Sequence, residues 1–357
     1  MSSSSYKYIL YPTSYKYILY PISYKYILFV MATKSEDESS PKVLFVENLS
    51  LVHDNPMSTC YNLKCNVIKN DPRFEFYDIG GKKDPEINLV QNVIFGCRSI
   101  YMYKCYKKPL REKIMARNLQ LFKIPNKFFI IQDMHQKTYG SIKALCNILK
   151  ENNVNIIFTF FHNNEASIIR SQVPNIYYYH LPHHIDTSIF RYISTSKKYD
   201  ILLFGSIHPK HYPFRKKLFE LISSNSHLFN VHYVKKPEIF DPSICESGLA
   251  QLINMSKICI ATKSKYDYLV GKYFEIAGCK SLIAGNIPTD GLNILKGRIL
   301  ELNEMMTDDQ IISTLSDAIE NYDKFNQPIE ELYTIVNEKY SLIHYVDRLH
   351  NIVLNKV

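Results

Sequence analysis

Between residues 43 and 180, short runs of β-branched and aromatic residues recur along the chain: Val43 to Val46, Phe74 to Tyr77, Val93 to Phe95, Phe128 to Ile131, Ile156 to Phe160 and Ile176 to Tyr179. These runs are continuously apolar rather than alternating, and stretches with helical apolar spacing, such as Ser141 to Glu151, lie between them. Strands of that kind are covered on both faces, so the pattern predicts a parallel sheet flanked by helices. A second series of the same kind opens at Tyr199 to Phe204 and continues through Val231 to Val234, Ile258 to Ala261 and Ser281 to Ala284. Beyond residue 305 the apolar positions Ile311, Leu315 and Ile319 take helical spacing, and the chain closes with an amphipathic stretch from Tyr340 to Leu354.

The segment LPHHIDTSIF (181–190) separates the two series. The expected organisation is a tail over 1–40, an N-terminal Rossmann-like domain over 41–182 and a junction over 183–198. A C-terminal Rossmann-like domain over 199–335 and a terminal helix over 336–357 that crosses back onto the first domain complete it. Two such sheets facing each other form a cleft, and ligands of open parallel sheets bind beyond the carboxyl ends of the strands. The tail departs from this rhythm: residues 5–31 hold three nine-residue units, SYKYILYPT, SYKYILYPI and SYKYILFVM. Proline closing the first two units suits neither a helix nor a solenoid, so the repeat reads as a duplication without a folded role.

Composition adds little to this picture but excludes some classes. The 357 residues carry 43 basic and 34 acidic side chains, a net charge of +9. That charge is compatible with an anionic ligand, but the lysines are scattered over helix-like segments, which argues against nucleic acid. Eight cysteines form no C-x-x-C pair and mostly sit in apolar runs, as expected of buried thiols in a reducing, cytoplasmic setting. No apolar run approaches the ~18 residues of a membrane-spanning helix.

Candidate chemistry concentrates in the second series. In KYDYLVGKYFEIAGCKSLIAG (265–285), Asp267 and Glu275 are eight apart, and a helix beginning near Tyr268 would set Lys272 and Glu275 on one face. A carboxylate there can accept ribose hydroxyls while free N–H groups at the helix start face a pyrophosphate. A plainer reading makes Asp267 a helix cap and Lys272–Glu275 a surface pair. In KKYDILLFGSIHPKHYPFRKKLFELI (197–222), Gly205 and Ser206 follow a strand and let the backbone approach a phosphate, with Arg215 and Lys216 available to neutralise it. The alternative for the basic pair is a solvated first helical turn.

The segment KYFEIAGCKSLIAG resembles the Glu-x7-Glu signature of the group 1, family 4-like glycosyltransferases, with Glu275 as the second acid and Asp267, a shorter side chain, at the first. DILLFGS resembles that family's first donor-domain strand and turn, Asp186 and Phe190 keep the spacing of its interdomain segment, and NEKYSLIHYVDRLHNIV is similar to its closing helix. His183 and His184 stand where Asn and Gly are usual. The resemblance implies a GT-B fold, α/β with two facing Rossmann-like domains, and sugar transfer from a nucleoside-diphosphate sugar to an unidentified acceptor with retention of configuration. It implies a ribose contact for Glu275, diphosphate contacts for Gly205, Ser206, Arg215, Lys216 and Lys272, and sugar-side roles for Asp267 and for a histidine after a strand. His135 is that histidine by position, with His162 as the alternative. Asp-x-Asp, the usual metal clamp of the other glycosyltransferase fold, does not occur, so neither metal nor other cofactor is expected. A catalytically silent nucleotide- or glycan-binding scaffold and a nucleotide-sugar epimerase share this architecture and remain open.

Overall fold

The structure, a computed structural model, describes residues 43–47, 59–81, 87, 90–96, 99, 119–131, 141–154, 156–160, 165–234 and 247–355. The N-terminal repeats, and the loops carrying Asp133, His135 and His162, lie outside the described residues.

Two sheets, parallel throughout, organise the chain. The first contains β1 (Val43–Glu47), β2 (Phe74–Asp78), β3 (Asn92–Phe95), β4 (Asn126–Ile131), β5 (Ile156–Thr159) and β6 (Tyr177–His180), in the spatial order β2-β1-β3-β4-β5-β6. The second contains β7 (Tyr199–Phe204), β8 (Val231–Val234), β9 (Ser256–Ile260), β10 (Leu282–Gly285) and β11 (Leu300–Glu301), in the order β11-β10-β9-β7-β8. Each sheet starts in its interior, steps to one side and then reverses, so each has a switch point, between β1 and β3 and between β7 and β9. Ten strands fall within two residues of the runs read from the sequence. The two-residue β11 does not, being too short to leave a periodic signal.

Side chains alternate across each strand, so both faces of a continuously apolar strand need cover. On the first sheet, Leu44, Val46, Val93 and Phe95 pack with Leu145, Cys146 and Leu149 of α2 (Ile142–Glu151) and Ile169 of α3 (Glu165–Gln172). Val43, Phe45, Ile94 and Phe128 face the opposite way, onto Cys65 and Ile68 of α1 (Thr59–Asn70) and Leu342, Val346, Leu349 and Val353 of α10 (Leu342–Leu354). An ion pair of 2.7 Å between Arg73 and Asp347 fixes that last helix on the first sheet.

The second sheet is sandwiched likewise. Leu202, Cys259 and Ile283 meet α5 (Ser247–Asn254), α6 (Lys272–Gly278) and α9 (Asn326–Lys339). Ile201, Leu203, Ile258 and Ile260 meet α4 (Pro213–Ser224) and α8 (Asp308–Glu320). The short α7 (Leu292–Leu295) lies after β10. Thr307 caps α8 with a reciprocal capping box to Gln310.

The chain passes between the sheets twice, and the two crossings are hydrogen-bonded together. Ile185 N donates to Tyr340 O and Leu342 N donates to Ile185 O, each at 2.9 Å. Asp186 and Phe190 make the first crossing compact: Asp186 O accepts from Phe190 N at 2.9 Å and Asp186 Oδ1 from Ser188 N at 2.8 Å. α6 packs so tightly there that a Cβ on Gly278 would stand 2.7 Å from Phe190 O. Cys65, Cys146, Cys259 and Cys279 are buried free thiols, and burial pushes Cys259 up to about 12. Among the described residues no helix is long and apolar enough to cross a membrane.

Candidate functional site

β7 is followed at the switch point by Gly205, whose φ of +87° is a left-handed conformation that only glycine adopts without cost. The missing side chain also makes room: a Cβ there would stand 3.1 Å from Cε of Lys272 and 3.5 Å from Nη1 of Arg215. Two cations therefore converge on one turn of backbone.

Lys272 opens α6 and is 9% exposed. Its Nζ donates to Phe204 O and lies 3.6 Å from the centre of the Phe204 ring. Burial, then the charge of Arg215, holds this amine well below the ordinary 10.5, with Glu275 opposing. Arg215, 2% exposed, reaches across from α4. Its Nη1 donates to Ser206 O at 3.1 Å, its Nη2 to Thr262 O at 2.9 Å and its Nε to Thr262 Oγ1 at 3.2 Å. The guanidinium lies 4.0 Å from the centre of the Tyr212 ring. It thereby ties the loop after β7 to the loop after β9, the two strands that flank the switch point.

Glu275 lies one turn into α6 and is half-buried. Burial raises its pKa above the ordinary 4.5, while Lys272 and Arg215 pull the other way. The site as a whole is a backbone turn with two cations beneath it and one carboxylate beside it, which suits a diphosphate bearing a polyol.

Sequence and structure part at several of the predicted residues. The helix expected from Tyr268 begins instead at Lys272. Tyr268 packs into the first sheet's core and Leu269 into the second sheet's, and such alternation demands extended backbone. The early N–H groups of the helix are already engaged: Phe274 N and Glu275 N both donate to Gly271 O, at 2.9 and 3.0 Å. Asp267 is not its cap. With φ +61°, its carboxylate pairs with Lys263 Nζ at 2.8 Å and accepts from Thr289 N at 3.1 Å, and these bonds keep its pKa low against burial. Lys272 and Glu275 are not a surface pair either, since Lys272 is buried. Lys216 stands apart from the cluster, paired with Glu220 at 3.4 Å on the solvent side of α4. Ser206 is exposed, its hydroxyl 3.4 Å from the His208 N–H.

His180 and Lys64, at the cleft, escaped the sequence reading, which noted His183 and His184 only as departures from the family's interdomain segment. His180, at the end of β6, accompanies Asp290 across the cleft at 3.9 Å. The ring of His183 lies against Phe160, tilted by 42° with centroids 4.8 Å apart, and that of His184 against Tyr345, tilted by 40° at 4.2 Å. Lys64 from α1 sits 4.8 Å from the Phe160 ring centre. Burial, then Lys64, depresses both junction histidines, His183 down to about 3. A doublet of histidines in a linker gives a sequence reader no sign of this cage, because the aromatic walls come from distant elements.

Known structures share this arrangement of two parallel sheets. An α-glucosyltransferase in complex with UDP matches with a TM-score of 0.57, at 9% identity, over 88% of this chain and 100% of that one. HepE from Anabaena, in complex with UDP and glucose, matches with a TM-score of 0.54, at 9% identity, over 88% of this chain and 100% of its own. The chain has the GT-B fold. Sucrose-phosphate synthase from Thermosynechococcus elongatus is a further GT-B neighbour, with a TM-score of 0.53 and 9% identity over 88% of this chain and 98% of that one. No family model and no curated protein matches the sequence. Within the GT-B frame, the Gly205 cluster belongs to the second sheet, and the junction histidines lie where the first crossing leaves the first.

Proposed function

We propose that this chain is a glycosyltransferase that binds a nucleoside-diphosphate sugar at the carboxyl edge of its second sheet and transfers the sugar to an acceptor held against the first. The observation that carries this reading is the convergence of Lys272 and Arg215 on the left-handed Gly205 turn, with Glu275 beside them. Breaking a sugar–diphosphate bond leaves negative charge on the departing phosphate, so preplaced cations and N–H groups there lower the barrier most. Lys272 meets the diphosphate directly, Arg215 holds the loops that shape the turn, and Glu275 accepts ribose hydroxyls. The chain's own cations supply the neutralising charge, so the reaction is metal-independent.

Asp267 and His135 belong to the sugar side. Asp267, kept ionised by Lys263, is suited to accept sugar hydroxyl bonds or to offset positive charge on the sugar, not to give up a proton. Retention of configuration is part of the proposal, as is a reducing, cytoplasmic setting, which fits the buried free thiols. UDP, present in two of the GT-B neighbours, is the first nucleotide to test.

The test is a thermal-shift series with UDP, GDP, ADP and UDP-glucose, followed by measurement of UDP release with and without candidate acceptors, with EDTA throughout. Acceptor-dependent UDP release in EDTA is expected. Binding without release would identify a scaffold, and conversion of the donor without acceptor an epimerase.

A further inference from the structure

Asn286 follows β10 directly and is buried. Its amide joins the loops on either side of it: Oδ1 accepts from Lys263 N, in the loop after β9, at 3.0 Å, and Nδ2 donates to Oε1 of Glu304, in the loop after β11, at 2.5 Å. These partners fix the orientation of the amide, because a backbone N–H only donates and a carboxylate only accepts. Aspartate has the acceptor without the donor, and leucine, of similar size, has neither. The main-chain oxygen of Asn286 accepts from the Tyr273 hydroxyl at 2.6 Å, and Tyr273 follows Lys272 in α6. Loops from three adjacent strands and the helix carrying Lys272 and Glu275 thus meet on one residue. From Lys263 the connection runs on to Asp267. Lys263 Nζ pairs with Asp267 Oδ1 at 2.8 Å, and Asp267 Oδ2 accepts at 3.1 Å from the N–H of Thr289, three residues after Asn286. The loops after β9 and β10 are therefore tied together twice, once by the Asn286 amide and once by the Asp267 carboxylate. Asp267 stands at φ +61°, a costly conformation for a residue with a side chain, so it keeps its place only while the surrounding loops hold it.

Resting on the reading of Asp267 as the sugar-side acid, we propose that Asn286 is a positioning residue that holds the Lys263–Asp267 pair in register with Lys272 and Glu275, so that the sugar and its leaving diphosphate are met together. It works through Lys263 and Asp267 and touches no ligand itself. The Tyr273 bond ends on a main-chain oxygen and survives a change of side chain, so α6 keeps its place when the amide is removed. The grip on the nucleotide is thereby separable from the geometry on the sugar side.

The test uses the full chain and the slow cleavage of the donor by water, in which water takes the sugar and the nucleoside diphosphate leaves. Esters of UDP, GDP and ADP with glucose, galactose and N-acetylglucosamine are offered to wild type, and the one cleaved serves for kcat, with calorimetry giving the Kd of its nucleoside diphosphate. Asn286→Ala is expected to lower kcat about tenfold and to leave that Kd within about twofold. In an Asp267→Asn background the same change is expected to lower kcat by less than about twofold, since what Asn286 positions is already gone. Asn286→Asp sets a second carboxylate against Glu304 and is expected to lose at least as much as Asn286→Ala. Adding Glu304→Gln to it restores the donor and acceptor with their polarity reversed, and kcat should return to within about threefold of wild type. That rescue keeps the test decisive if Asn286→Ala fails to fold. An equal loss in both backgrounds, a nucleotide Kd that weakens as much as kcat falls, or absence of rescue would mark a merely structural residue and overturn the proposal. A wild type that cleaves none of these donors would instead overturn the transferase reading beneath it.

Discussion

The two sheets repeat one local topology and fill it with opposite charge. In each, the first strand steps to one neighbour and then the other, β1 to β2 and β3, β7 to β8 and β9, leaving a crevice at the carboxyl ends of the central pair. At the first crevice β1 ends in Glu47, a fully buried carboxylate, and Gly96 N is bonded to Val46 O at 2.8 Å. At the second, β7 runs into Gly205, with Lys272 and Arg215 beneath it. Topology thus offers two crevices, and the diphosphate site proposed above is the second, where the two cations lie.

The largest effect that can test this contrast is removal of the buried amine. Lys272→Ala is expected to lower UDP affinity by roughly a hundredfold, about 2–3 kcal/mol, because it removes a charge-assisted bond at a dry site. Titration calorimetry reads the loss, and a melting curve separates it from misfolding. Next comes Gly205→Ala, which forces a side chain into φ +87° and against Lys272. The left-handed conformation alone costs about 1–2 kcal/mol, so a drop of several degrees in melting temperature should accompany weaker binding.

The pH dependence sharpens the comparison further. Binding requires Glu275 ionised and Lys272 protonated. Affinity should fall on acidification through the raised pKa of Glu275, above 4.5, and on alkalinisation through the lowered pKa of Lys272, below 10.5. Relative to wild type, Glu275→Gln should flatten the acid limb and Lys272→Arg the alkaline one, since arginine keeps its charge. Stability of the ligand-free protein should run the other way on the alkaline side. The unfolded chain holds the Lys272 proton up to 10.5 and the folded chain loses it earlier, so unfolding free energy rises with pH in that window. The smallest effect belongs to Lys216→Ala, which breaks an exposed pair with Glu220 and should change stability by at most about 0.5 kcal/mol and UDP affinity not at all.

Much of the fold was legible because buried parallel strands write themselves as continuous apolar runs, and ten of the eleven strands among the described residues did so. The start of α6 was not, because the apolar stretch Tyr268–Val270 is drawn out between two cores that sequence spacing does not reveal. Gly205, Arg215, Lys272 and Glu275 were readable as residue types following strands. Their division of labour was not: Arg215 spends three N–H bonds on Ser206 and Thr262, and Thr262 drew no notice in the sequence. Asp267 had the spacing of a site acid, yet its carboxylate is drawn to Lys263 four residues earlier. The cage around His183 and His184 depends on Lys64, Phe160 and Tyr345, brought together only by the crossing segments and α10.

A crystal structure of the chain soaked with UDP tests the central claim most directly. The account predicts the diphosphate against the Gly205 turn within bonding distance of Lys272, and the ribose against Glu275. A nucleotide bound at the Glu47 end of the first sheet, or away from Lys272 altogether, would contradict it.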